Sequence, residues 1–177
     1  MSIGIIKAGL RSDRFKIKEA VELAGCIIVK TVDFSTAPTL VIFLGTDDQI
    51  ISAFKNAESV SGEGTRTFTH LRDISLKLVN VLKDQPRTRF QGAAYTGIFE
   101  TDGLEVLLSA ANIMTIFEDV ELVEIQLSGN PFEKSVFVIS GTKKAVEEAL
   151  ESAKIISQSA HFTLQGNTQS PPDGRQP

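Results

Sequence analysis

The residues of this chain that could do chemistry are few and scattered. Its 177 residues hold two histidines, His70 and His161, and one cysteine, Cys26. No clustered carboxylate or cysteine motif accompanies either histidine, so surface or strand-end positions are expected rather than a metal site or a general-base pair. A single cysteine excludes an intrachain disulfide and any all-cysteine metal cage within one chain; a small buried hydrophobe is its expected state. Gly62-Glu63-Gly64 has the glycines of a phosphate loop but lacks the Gly-Lys-Ser/Thr ending, and it precedes a strand rather than a helix. Glu118, Asp119, Glu121 and Glu124 form an acidic stretch that reads as a solvated turn and an outward strand face. No nucleophile–base or metal constellation emerges, so the expectation is a protein that is not an enzyme.

The bulk composition narrows the partners. Hydrophobic residues make up 42% and charged residues 23%, which is ordinary for a globular protein. The net charge is −4 with the basic residues spread along the chain, which argues against nucleic acid. No apolar run approaches the ~20 residues of a membrane-spanning helix. Met1-Ser2-Ile3-Gly4 leads directly into a strand-like segment without a signal-peptide pattern, and a reducing cytosol is the expected setting.

The elements that carry these residues occur twice. Gly9-Leu10 recurs as Gly103-Leu104, an offset of 94 (103 minus 9), and Val29 falls on Val123 at the same offset. The run 40–46 recurs as 136–142, and the helix face Ile50, Ala53, Phe54, Ala57, Val60 reappears as Val146, Ala149, Leu150, Ala153, Ile156, both at an offset of 96 (146 minus 50). Each copy reads β-α-β-β-α with a further short strand, an α/β (α+β, ferredoxin-like) unit of roughly 80–90 residues, small enough to need a packed neighbour. The expected organisation is a first domain over 1–86, including an extra helix from Asp73 to about Lys83, a second over 94–165, and a disordered tail at 167–177. In the first copy, strands are expected over Ile3–Ala8, Ile27–Val32 and Thr39–Leu44, with helices over Asp13–Ala24 and Asp47–Ser61. Thr46 with Gln49 makes a capping box for the second of these helices, and Thr142 caps its repeat. Leu104 to Phe117 reads as a helix apolar almost all round, which must be covered on several sides.

Thr96 to Leu104, with Ser109-Ala110-Ala111-Asn112-Ile113-Met114, Val120-Glu121-Leu122-Val123 and Gly141-Thr142, resembles the bacterial microcompartment shell domain. The first half matches more faintly, through Gly4-Ile5-Ile6, Gly9-Leu10 and Leu44-Gly45-Thr46-Asp47. Two unpermuted copies in one chain resemble the tandem trimeric shell proteins, in particular the propanediol-utilisation type. The resemblance implies a homotrimer of six domains, a pseudo-hexagonal tile that meets other shell proteins in a microcompartment shell and passes small polar metabolites or cofactors through a central pore. The family's pore loop maps to Asp33, Phe34, Ser35 and Thr36 in the first copy and to Ser128, Gly129 and Asn130 in the second. Asp33 is open between an ordinary turn former and a selectivity element; three copies of it would make a carboxylate ring favouring cations. Neither loop holds a cysteine, so no iron–sulfur cluster and no other cofactor is expected. At the tile edge the chain departs from the family: Ile116-Phe117 stands where a lysine is usual, and no Pro-Arg-Pro-His segment is present. A ferredoxin-like small-ligand sensor is the alternative from another class.

Overall fold

Two four-stranded antiparallel sheets, each backed by helices, build the molecule. The computed structural model describes residues 1–9, 12–34, 39–60, 66–83, 95–128, 134–156 and 161–166. The first half runs β1 (Ser2–Ala8), α1 (Asp13–Leu23), β2 (Ile27–Asp33), β3 (Thr39–Gly45), α2 (Asp47–Val60) and β4 (Arg66–Leu71), followed by α3 (Leu76–Leu82). The second runs β5 (Tyr95–Thr101), α4 (Leu104–Met114), β6 (Val120–Gln126), β7 (Ser135–Gly141), α5 (Lys143–Ile156) and β8 (His161–Gly166). Strand order is β2-β3-β1-β4 in one sheet and β6-β7-β5-β8 in the other. Register repeats as well as order. Ile5 pairs with Ile42 and Thr69, while Ile98 pairs with Val138 and Thr163. Both sheets even break register at the same place, between Ile28 and Lys30 and between Leu122 and Glu124.

Period-two alternation in β1 and β3 splits the first sheet between two cores. Ile6, Ala8, Val41 and Phe43 pack with Ile17, Ala20, Val21, Ile50, Ala53 and Ala57 of α1 and α2. Ile3, Ile5, Leu40, Ile42 and Leu44, on the other face, join a larger core that includes α3 and the second half. Each fully buried aliphatic side chain there stabilises the fold by roughly 1.5–3 kcal/mol. The opening glycine of each unit serves close packing. A Cβ on Gly4 would lie 2.4 Å from the Phe43 ring, and one on Gly97 would lie 2.8 Å from Val146 of α5.

The caps read from sequence form. The Thr46 N–H donates to Gln49 Oε1 at 2.9 Å, and the Gln49 N–H donates to Thr46 Oγ1 at 3.3 Å. Thr142 Oγ1 accepts from the Ala145 N–H at 3.3 Å. Two helix ends differ from expectation. α3 begins at Leu76 rather than Asp73, because Ser75 is its cap, with Oγ accepting from the Lys77 and Leu78 N–H groups. α4 ends at Met114 rather than Phe117, because Thr115, Ile116 and Phe117 turn their N–H groups to the carbonyls three residues back.

α3 is the joint between the halves. It packs against β2 on one side and β6 on the other, and α4 approaches β4. Asn112 on α4 accepts from the Ser75 N–H at 2.9 Å and donates to the Asp73 carbonyl at 3.1 Å. The Lys77 ammonium donates to the Thr115 carbonyl at 3.2 Å. The apolar girth of α4 is thus covered partly by its own sheet and partly by the first half, with Leu107, Leu108, Ala110, Ala111 and Met114 fully buried.

Candidate functional site

β2 and β6 end at equivalent places in their sheets, beside the strand-starting hydroxyls Thr39 and Ser135, which are repeats of one another. Thr39 Oγ1 donates to Asp33 Oδ1 at 2.8 Å, and Ser135 Oγ accepts from the Ser128 N–H at 2.9 Å. Both hydroxyl residues are buried, at 0% and 3% exposure. Of the residues singled out from sequence, Asp33, Phe34 and Ser128 fall within the described structure; Ser35, Thr36, Gly129 and Asn130 lie outside it. Phe34 and Ser128 come together across the halves. Both line a cavity of about 80 Å³ shared with Lys7, Leu40, Asp102, Leu104 and Ser135, and Phe34 also packs on the large shared core.

Asp33 is not an open carboxylate. Its Oδ2 receives Arg14 Nη1 from the first turn of α1, and the two side chains are each about a third exposed. The Arg14 guanidinium lies 4.6 Å from the centre of the Phe15 ring. Arg14, Thr39 and Ser135 escaped the sequence reading. Thr39 and Ser135 had a usable signal, a hydroxyl repeated at the offset of 96, whereas Arg14 reads as one of several charges on an amphipathic helix.

A second concavity lies at the opposite end of the first sheet. It has a volume of about 620 Å³ and is walled by Met1, Ile27 and Leu44, with Asp47, Arg72 and Asp73 at its polar side. Asp47 Oδ1 accepts from the Ser2 hydroxyl at 2.6 Å and sits 3.0 Å from His70 Nε2, while Arg72 Nε stands 3.3 Å from Oδ2. The Ser2 hydrogen bond foremost, then His70 and Arg72, hold the Asp47 carboxyl below the usual carboxylate range, with partial desolvation opposing. His70 is therefore a strand-end histidine with a carboxylate partner. Among the described residues, no group of three or more His, Cys, Asp or Glu side chains is placed to hold a metal. Cys26 is buried, which pushes its thiol pKa up. The acidic residues Glu118, Asp119 and Glu124 are exposed and Glu121 is half-buried. Gly62-Glu63-Gly64 and the tail 167–177 lie outside the described residues, and no described helix is long and apolar enough to cross a membrane.

Comparison with known proteins places this geometry in a class. Residues 96–166 match the BMC domain (bacterial microcompartment) family. The whole chain superposes on a microcompartment protein from Desulfitobacterium hafniense with a TM-score of 0.83, at 16% identity, covering 96% of this chain and 94% of that one. The second unit thus carries the family's sequence match, the first unit repeats its topology, and the chain as a whole shares the fold of that microcompartment protein. EtuB from Clostridium kluyveri (15% identity, 92% and 81% coverage, TM-score 0.30) and the regulatory subunit of aspartate kinase from Thermus thermophilus (14%, 88% and 93%, 0.34) superpose too loosely to carry an argument. No curated protein matches the sequence.

Proposed function

We propose that this chain is a structural tile of a bacterial microcompartment shell, built from two tandem shell domains. It acts as a homotrimer whose six domains close a pseudo-hexagon around a central pore for small polar metabolites. One observation carries the reading: equivalent faces of the two sheets are covered unequally. Ile5, Leu40 and Ile42 are buried against the second half, at 2%, 3% and 0% exposure. Their repeats Ile98, Val136 and Val138 are only half-buried and belong to neither core. α1, the repeat of α4, carries Phe15 and Leu23 at 68% and 76% exposure. A second chain that laid its first half on that open face, as the second half lies on the first, would repeat the internal contact. Rotating this contact three times closes a ring, in the way heterologous interfaces generate cyclic assemblies. The placement of Phe34 and Ser128 in one cavity supports a shared pore-side end for the two loops.

As a tile, the chain resides in the microcompartment shell beside other shell proteins, and it works without a catalytic step or a resident cofactor. Sedimentation of the purified chain tests the reading directly. A trimer, with three-lobed discs in negative stain, is expected; a monomer at every concentration overturns it. The 620 Å³ concavity favours a second reading, a small-ligand sensor. That reading requires ligand-dependent thermal stabilisation, which a tile does not need.

A further inference from the structure

We propose that Arg14 sets the charge of the pore mouth, neutralising Asp33 so that the pore favours neutral polar molecules over cations. The proposal rests on the reading of the chain as a ring with the β2–β3 and β6–β7 loops at its axis. An Asp33 carboxylate repeated by three chains would be a cation filter if nothing answered its charge. Here each copy brings its own answer. Arg14 meets Oδ2 while the buried Thr39 hydroxyl occupies Oδ1, so both carboxylate oxygens are engaged. The guanidinium is held from behind by the Phe15 ring at 4.6 Å, and its Nε is buried without another hydrogen-bond partner. Further along the same end, Lys7 and Asp102 line the cavity that Phe34 and Ser128 share, one basic and one acidic group. Among these four residues two basic groups, Lys7 and Arg14, stand against two acidic ones, Asp33 and Asp102.

A partly exposed pair of this kind contributes little to stability, so its removal should leave the tile assembled and change only the field it sees. The test is the reversal potential of the full-length assembly in a planar bilayer under a potassium chloride gradient. Wild type is expected near zero. Arg14→Gln should move the reversal potential toward the potassium limit, with at least a several-fold rise in the potassium-to-chloride permeability ratio. Asp33→Asn, which leaves the guanidinium unanswered, should move it toward chloride. The double variant should return to wild type, and Arg14→Lys should stay close to it. Ser128→Lys separates the two layers of the argument. If Ser128→Lys shifts selectivity but neither Arg14→Gln nor Asp33→Asn does, the pore stands and the role of Arg14 falls. If none of the three shifts it, the loops do not line a pore and both readings fall.

Discussion

Val138→Asp is the perturbation that most directly separates a closing ring from a lone chain. Val138 repeats Ile42, which is wholly buried where the first sheet meets the second half, yet Val138 itself is half-buried. Within one chain an aspartate there keeps part of its hydration, and the fold should survive. In a ring, the same carboxylate would be buried beneath the neighbouring chain, where its desolvation opposes closure. Completing the burial of Ile98, Val136 and Val138 offers about 1 kcal/mol each, roughly half the value of a full aliphatic burial, so about 3 kcal/mol per interface from these residues. A buried charge left without a partner costs about 3–5 kcal/mol by comparison with broken buried pairs, which equals or exceeds that gain at each interface. Sedimentation equilibrium should show the variant as a folded monomer at concentrations where wild type is a trimer, with unchanged far-ultraviolet circular dichroism. Ile155→Asp, at a position 80% exposed on α5, is the control and should keep the trimer mass. A Val138→Asp variant that still sediments as wild type refutes the closure argument, because the face would then be open to water.

Other substitutions probe the internal frame. Gly141→Ala would place a Cβ 2.2 Å from the Asp119 carbonyl oxygen, a backbone group that cannot swing aside; a loss of about 1–3 kcal/mol in chemical denaturation is expected. Asn112→Ala removes both side-chain hydrogen bonds to the Asp73–Ser75 segment and should cost about 1–3 kcal/mol, with hydrogen exchange rising at Ser75 and along α3. Asp47→Asn tests the polar cluster by pH. The folded carboxyl titrates below its unfolded value, so its contribution is present above about pH 4 and is lost as pH falls through the lower folded value. The gap in melting temperature between wild type and Asp47→Asn should therefore close in acid, and a gap that stays constant from pH 7 to 3 would contradict it.

The repeat made most of the fold legible before any coordinates. Thr46 with Gln49, and Thr142 in the repeat, specify helix starts through nearest neighbours, and these caps formed as read. Helix ends were less legible, because they depend on competition among local hydrogen bonds. Ser75 captured the start of α3, and Thr115, whose hydroxyl donates to the Asn112 carbonyl at 2.6 Å, closed α4 early. The site was read only in part. Loop position follows from strand order, so Asp33 and Ser128 could be placed; the partner of Asp33 could not, since Arg14 stands nineteen residues away on a helix whose other charges look alike. That one contact gives the Asp33 carboxylate a cationic partner within its own chain.

The unequal fate of equal faces also explains how the two copies have drifted apart. Leu107 in α4 is fully buried, and its repeat in α1 is Asp13, at 4% exposure; Leu108 corresponds to Arg14. α4 lies between its own sheet and the first half, so its sides must be apolar or small. α1 meets no other half within the chain, and its outer side carries Lys16, Glu19 and Glu22 in exposed positions beside Phe15 and Leu23. A hydrophobic residue at 68% or 76% exposure amid charges buries little apolar area in the isolated chain. It gains value only where something covers it. The half-buried aliphatic face of the second sheet lacks cover of the same kind, and in the proposed ring three copies joined head to tail would supply each deficit from the other. Substituting Phe15 and Leu23 together by serine should therefore leave the melting of the monomer unit nearly unchanged while raising the trimer dissociation constant at least tenfold. A variant that assembles like wild type would mean that α1 faces water in the tile and that the ring closes through other residues.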